Sequence, residues 1–184
     1  LVGAMGFAAA EADGYEADDF LAAGVAAEEA RGGTALVASG DRDTFQLVSE
    51  RTTVLQPQTG GGPLARIDPA GVRERYDVEP AQVPDFIALR GDPSDRIPGA
   101  RGVGAKTAAA LLKQYGSLEA ALAGGRFAAE ADALRLYRYL ATMDAEAPLP
   151  VLEDQTPTWD RAAALARGWG LGRLASRLEA LSSS

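Results

Sequence analysis

Three acidic clusters carry the residue types and spacings that could do chemistry: Glu16-Ala17-Asp18-Asp19, Asp41-Arg42-Asp43 and Asp92-Pro93-Ser94-Asp95. Each has a nearby glycine (Gly14, Gly40, Gly91) and falls at an expected turn or element end, not along a solvated helical face. Seven carboxylates converging on one site would repel one another unless cations intervene. Their convergence therefore predicts a divalent-metal centre, and Mg²⁺ suits oxygen ligands with several retained waters. Two such ions about 3.5–4 Å apart can clamp the attacking and leaving oxygens of a phosphodiester. The plain alternative stays open for each cluster, with Asp41 making an Asx turn and Asp92 capping a helix end. Two look-alikes fail. Asp41-Arg42-Asp43-Thr44-Phe45 lacks the later acidic and glycine places of an EF-hand loop, and its Thr is one place early for an aspartyl-phosphate motif.

A second feature is Ile97-Pro98-Gly99-Ala100-Arg101-Gly102-Val103-Gly104-Ala105-Lys106-Thr107-Ala108. Ala105 separates Gly104 from Lys106, so this is not a Walker-type phosphate loop, and no strand precedes it. The spacing instead predicts a helix–hairpin–helix, in which a tight glycine turn opens onto a helix N-terminus. Backbone N–H groups there attract a phosphate, helped by the helix dipole. The neighbouring charges agree. Residues 96–118 hold Arg96, Arg101, Lys106 and Lys113 and no acid, and both lysines of the chain lie in this stretch.

Composition narrows the rest. The 184 residues include no Cys and no His, which excludes thiolate and imidazole chemistry. The formal net charge of −8 would argue against a nucleic-acid partner if it were spread evenly. It is not. Residues 1–50 hold ten acids and two bases, whereas the remainder holds sixteen of each. Alanine accounts for 38 residues, so the large apolar side chains are fewer than a 47% hydrophobic fraction suggests. No run approaches the ~18 apolar residues of a membrane span, and no basic n-region opens the chain.

The elements that must position these residues follow from periodicity and caps. Leu1 to Gly6 reads as a helix tail stopped by glycine, in a chain that lacks its N-terminal part. An extended piece at 7–12 and a turn at Asp13-Gly14 lead to a helix near 16–31. A strand follows at 34–39, its run of small and apolar residues predicting burial on both faces. Asp41 and Asp43 then lie at the carboxyl end of that strand, where open α/β sheets bind ligands. A short helix at 44–48, a strand at 52–56, a loop through Gly60-Gly61-Gly62-Pro63 and a strand at 64–67 come next. Beyond Asp68-Pro69, an N-cap with proline at the first helical position, only helices are expected. They fall near 69–76, 80–90, 105–115, 117–123, 128–143, 159–167 and 171–181, with a frayed end at 182–184. The boundary therefore lies near residue 67, dividing 1–67 from 68–184.

The four motifs Gly14 to Asp19, Gly40 to Asp43, Gly91 to Asp95 and Ile97 to Ala108 resemble, in order and spacing, the bacterial 5′–3′ exonucleases. These flap endonuclease-like nucleases occur alone or as the N-terminal domain of DNA polymerase I. The resemblance implies an α/β fold: a partial PIN-like (resolvase-like) parallel-sheet core in 1–67, then a helix–three-turn–helix DNA-binding domain in 68–184. It implies Mg²⁺ or Mn²⁺, as two ions, on Glu16, Asp18, Asp19, Asp41, Asp43, Asp92 and Asp95, with Asp18, Asp41 and Asp92 central to catalysis. It implies duplex contacts from Arg96, Gly99, Arg101, Gly102, Val103, Gly104, Lys106 and Thr107, and a monovalent cation such as K⁺ on the hairpin carbonyls. The implied substrates are 5′ flaps and 5′ ends of DNA. The implied setting is a monomer in the bacterial cytoplasm at the nucleoid, with a fused or partner DNA polymerase.

Three departures qualify the resemblance. The family's N-terminal third, with further acidic ligands and a basic arch, is missing. Arg96 stands where the family has Asn or Gly. The Ala-rich region after Gly124 matches weakly. A rival reading is a catalytically incomplete module that binds duplex DNA without cutting it. A metal-dependent phosphatase for small substrates is a weaker one, and the basic stretch at 96–118 argues against it.

Overall fold

A computed structural model describes residues 1–60 and 62–182; Gly61 of the glycine loop and Ser183-Ser184 of the expected frayed end lie outside the described residues. The helices and strands are α1 (Ala17–Ala30), β1 (Ala35–Ala38), β2 (Thr52–Gln56), β3 (Ala65–Ile67), α2 (Pro69–Tyr76), α3 (Val83–Arg90), α4 (Ala105–Tyr115), α5 (Leu118–Ala123), α6 (Ala131–Ala141), α7 (Trp159–Gly168) and α8 (Gly172–Ser182). Short 3-10 turns occur at Gly3–Met5, Asp43–Leu47, Pro80–Gln82 and Ala128–Glu130. The chain forms two compact units, Leu21–Glu146 and a second assembled from Leu1–Phe20 with Ala147–Ser184.

Local rules account for most boundaries in the larger unit. Asp68 caps α2, its Oδ1 accepting from Gly71 N–H at 2.8 Å, with Pro69 at the first position. Gly116 stops α4 at φ 83°, and Ser117 at once caps α5 by accepting from Ala120 N–H at 3.1 Å. The sheet order is β1-β2-β3. β1 and β2 run parallel, with Val37 opposite Val54, but β3 is antiparallel to β2, with Ile67 opposite Val54. The sheet is therefore mixed and not wholly parallel. The connection from Gln56 to Ala65 is too short for the crossover of a dozen or more residues that a parallel return needs. β1 also departs from expectation, since only Val37 is buried and Leu36 is 61% exposed. β1 lies at one edge of the sheet, and the face that carries Leu36 is left open.

The core of this unit runs from Val37, Val54 and Ile67 of the sheet through Val72 of α2 to α3, where every residue from Val83 to Leu89 is buried. Such a helix serves as the axis of its unit, and α4 and α6 pack on it. The helix expected from residue 128 begins at Ala131. Phe127 takes a left-handed φ of 54° and leaves residues 128–130 as a 3-10 turn.

The smaller unit is built on small residues. Ala162, Ala163 and Ala166 of α7 meet Ala175 and Leu178 of α8 in a buried cluster joined by Trp159 and by Leu1, Ala4 and Met5. Gly6 ends the first turn at φ 87°, as the glycine stop predicts. A Cβ there would lie 2.6 Å from the Thr156 carbonyl, and Thr158 N–H donates to the Met5 carbonyl beside it. The piece at 7–12 forms no strand; Ala8 N–H donates to Gln155 Oε1 and Phe7 meets the Trp159 ring edge-on at 5.7 Å. No helix among the described residues is long and apolar enough to cross a membrane.

Candidate functional site

In the larger unit, Asp41, Asp43 and Asp92 line one cavity of about 500 Å³ together with Gly40, Arg42, Tyr76, Arg90, Pro93 and Ser94. Its walls come from the carboxyl end of β1, the end of α2 and the turn that follows α3. Asp41 does make an Asx turn. Its Oδ1 accepts from Asp43 N–H at 2.9 Å, while its own N–H donates to Ser39 Oγ at 3.0 Å. Asp92 does likewise, accepting from Ser94 N–H at 2.9 Å. The structural reading of these aspartates and the chemical one are thus compatible, because the same turns aim the carboxylates into the cavity.

The electrostatics show that the acids act on one another. Asp43 is pushed up to about 7, chiefly by burial and then by the negative charges of Asp41, Asp95 and Asp92, with Arg90 opposing. Asp95 is exposed yet close enough to add to that field. Burial also works against the charge on Asp92. Hydrogen bonds from Ser94 and the Arg90 guanidinium outweigh it and hold Asp92 below its ordinary value. Burial raises Tyr76 above its usual range. This is the field a divalent cation would relieve, and the all-oxygen donor set suits a hard ion. Among the described residues, no group of three or more carboxylates stands arranged to hold an ion. Both oxygens of Asp92 are already engaged, by Arg90 and by Ser94.

Glu16, Asp18 and Asp19 belong to the smaller unit. Asp18 and Asp19 lie in the first turn of α1, where acids suit the helix dipole, and Asp19 Oδ2 accepts from Glu16 N–H at 2.9 Å.

The glycine hairpin is bound to the acidic loop by close backbone contact. Asp92 and Ile97 exchange two N–H···O bonds of 2.8 Å, and Ala100 N–H donates to the Leu89 carbonyl at 2.9 Å. Gly91 and Gly99 both take positive φ. A Cβ on Gly99 would sit 2.5 Å from Gly91 N, so these glycines allow the two strands of the loop to touch. Arg96 occupies the left-handed region at φ 58°. Gly102 turns the hairpin at φ 74°, and Gly104 leads into α4 in extended conformation. Val103 is half-buried and packs against the core. The side chains of Arg101, Lys106 and Thr107 are exposed. The first bond into α4 runs from Ala108 N–H to the Gly104 carbonyl, which leaves the N–H groups of Ala105, Lys106 and Thr107 ahead of it.

Three residues near these features escaped sequence reasoning. Arg90 and Tyr76 line the acidic cavity, and Glu130 accepts the Arg101 backbone N–H at 3.0 Å beside the hairpin. Arg90 could have been suspected from its place next to Gly91-Asp92. Glu130 gives no local signal, since it reaches the hairpin only through the fold.

Comparison with known proteins bears on both features. A model of the 5′-3′ exonuclease N-terminal resolvase-like domain matches residues 1–77, and a model of the 5′-3′ exonuclease C-terminal SAM fold matches residues 78–162. DNA polymerase I of Mycobacterium bovis is 49% identical over 118 residues, 64% of this chain and 13% of that protein. The thermostable DNA polymerase I of Thermus thermophilus is 48% identical over 119 residues, 65% of this chain and 14% of that protein. The chain thus spans about an eighth of the length of these relatives. Two solved bacteriophage T5 structures share the fold. A T5 5′-exonuclease with bound divalent metal ions (zinc) gives a TM-score of 0.61 at 19% identity, over 90% of this chain and 59% of that one. A T5 flap endonuclease in a pseudo-enzyme–product complex with DNA and metal ions gives 0.61 at 17% identity, over 93% and 61%. Two adjoining domain models that together take in residues 1–162, and relatives nearly half identical over 118 and 119 residues, place the chain in the 5′-3′ exonuclease family.

Proposed function

We propose that the chain is the nuclease part of a structure-specific, metal-dependent 5′–3′ exonuclease and 5′-flap endonuclease that hydrolyses DNA phosphodiesters in replication and repair. The observation that carries this reading is the cavity that Asp41, Asp43 and Asp92 line together, in which burial first, and then the charges of Asp41, Asp95 and Asp92, lift Asp43 to about 7. A cluster of like charges lining an open cavity suits divalent cations and a phosphate-bearing substrate.

The proposed ligands are Asp41, Asp43, Asp92 and Asp95, with Glu16, Asp18 and Asp19 from the start of α1. Mg²⁺ or Mn²⁺, as two ions, would supply charge neutralisation and Lewis-acid polarisation of the phosphate when bound. The chain itself does the positioning. Gly102, Gly104 and the first turn of α4 offer backbone N–H groups to a DNA phosphate, and Lys106, Thr107, Arg101 and Arg96 are placed to join them. Such contacts fix the duplex without reading bases, so recognition is of structure and not of sequence. The hairpin carbonyls are the proposed seat of a monovalent cation such as K⁺.

We assign residues 1–67 to the nuclease core and 68–184 to the DNA-binding half. The proposed substrates are 5′ flaps and 5′ ends, and the proposed setting is a monomer in the bacterial cytoplasm at the nucleoid, coupled to a DNA polymerase. The T5 structures with metal ions and DNA support a divalent metal and a DNA substrate. A second reading, duplex binding without cleavage, draws on the engagement of both Asp92 oxygens by this chain's own donors.

One assay separates the two. A 5′-flap duplex is incubated with the chain, with and without Mg²⁺, beside Asp41→Asn. Mg²⁺-dependent cleavage that Asp41→Asn abolishes while binding persists supports the nuclease. Binding with no cleavage under any condition supports the module.

A further inference from the structure

Arg90, the last residue of α3, is fixed in the acidic cavity by three kinds of contact. Its Nη2 donates to Asp92 Oδ2 at 2.8 Å, and its Nε donates to the Gly91 carbonyl at 2.9 Å. Its guanidinium lies 5.2 Å from the Phe86 ring centroid and 5.8 Å from that of Tyr76. Those rings stack on each other at 4.9 Å, and Phe45 meets Tyr76 at 5.6 Å, so the cation rests on an aromatic layer. A planar guanidinium held on rings and by a neighbouring carbonyl has little freedom left. Asp92 is equally committed, with Oδ2 on Arg90 and Oδ1 on the Ser94 N–H and hydroxyl. The ion pair is mostly withdrawn from solvent, its side chains being 25% and 16% exposed.

We propose that Arg90 is a tethered counter-cation, a positioning residue that holds Asp92 in place without metal and sets how tightly the cavity takes a divalent ion. The proposal rests on reading this cavity as a cation site. A metal reaching Asp92 must share its oxygens with these partners or displace one of them. Displacing Ser94 costs neutral hydrogen bonds. The Arg90 side is different, because the guanidinium stays tied to the Gly91 carbonyl and the rings and its charge remains beside the arriving ion. Two cations competing for one carboxylate weaken each other, so the fixed one lowers affinity for the free one.

The test is Mn²⁺ binding to the 184-residue chain, followed by calorimetry and by the electron paramagnetic resonance of free Mn²⁺. Wild type is compared with Arg90→Met, Arg90→Lys and Asp41→Asn. Arg90→Met, which keeps an apolar stem on the rings and removes the charge, is expected to bind Mn²⁺ about tenfold more tightly. Arg90→Lys, which keeps the charge, is expected to stay close to wild type. A merely structural role would make Arg90→Met bind more weakly, and that result overturns the proposal, as does equal tightening by Arg90→Lys. If circular dichroism shows that Arg90→Met is unfolded, Arg90→Gln takes its place, and its tighter or weaker binding decides. Binding lost in Asp41→Asn with no gain in the neutral Arg90 variant overturns this inference alone. No uptake of Mn²⁺ by wild type or any variant overturns the cation-site reading with it.

Discussion

Arg96 follows the last aspartate of the Asp92-to-Asp95 loop with φ at 58°. A residue with a Cβ in that region costs about 1 kcal/mol, whereas Gly has none and Asn tolerates it through its short polar side chain. The residue types that the resemblance sets at this place are thus explained by backbone shape, independently of any contact that the exposed Arg96 side chain makes. Arg96→Asn is expected to raise the stability of the chain by up to about 1 kcal/mol, read as a higher urea midpoint at unchanged slope. An unchanged or lower midpoint would show that the loop draws support from the arginine itself. Asp43 acts through pH. Its carboxyl is raised from 3.8 to about 7 in the folded chain, first by burial and then by Asp41, Asp95 and Asp92. Between those values the folded state holds a proton that the unfolded chain has released, so stability falls as pH rises through the window. Asp43's contribution is neutral below its unfolded value and fully unfavourable above about 7. In metal-free buffer Asp43→Asn is therefore expected to melt a few degrees above wild type near about pH 8 and level with it near about pH 4. A gap that does not grow with pH would remove the raised Asp43 carboxyl, with its burial and its like-charge field, from the account.

α3 shows how an element can be located from sequence while its chief anchor is not. Asp85 is buried on it, 5% exposed. Its Oδ2 accepts the Leu118 N–H of α5 at 2.9 Å. Its Oδ1 lies 2.7 Å from Arg138 Nε of α6, yet makes no well-aligned hydrogen bond there. One carboxylate thus ties three helices, and Asp85→Ala would leave the α5 N-terminus without its acceptor and Arg138 without its counter-charge. Because Arg138 is half exposed, the expected loss is about 2 kcal/mol, below that of a fully buried pair. Asp85→Asn should recover part of it through Leu118, and thermal melts of the two variants check the order. Nothing near Val83-Pro84-Asp85 announces this role, since its partners lie 33 and 53 residues on. The same contrast runs through the fold. Asp68-Pro69 and Gly116-Ser117 mark helix ends through local hydrogen bonding, and β2 was bounded by its own β-branched run. The direction of β3 depended instead on the length of the connection before it, and the exposure of Leu36 on which face of β1 is left open. At the site, the acids were legible because each cluster is contiguous with its turn. Arg90, Tyr76 and Glu130 were not, because they reach their partners through space.

At the scale of the whole molecule, the question is how a chain of net charge −8 would hold the proposed DNA partner. The excess acid lies in the first 50 residues, and the cavity acids within it are the proposed cation ligands. The acid-free basic stretch lies at 96–118, but the structure does not leave all of its charge available. Lys113 Nζ is paired with Asp77 at 2.5 Å, and Glu130 brings an acid to the Arg101 backbone. Lys106, by contrast, is exposed in the first turn of α4, and no ion pair involves it among the described residues. Each cation of this stretch that stays uncompensated counts in the counterion balance. A lysine that neutralises one phosphate adds about one to the slope of log affinity against log salt. Lys106→Ala is therefore expected to weaken duplex binding to the same degree on unrelated sequences and to lower that slope by about 1. Lys113→Ala, already offset by Asp77, should change the slope less. Fluorescence anisotropy over a salt series, on two duplexes of different sequence, reads both quantities. A loss that depends on sequence would mean that Lys106 reads bases, and an unchanged slope would move the duplex away from the hairpin altogether.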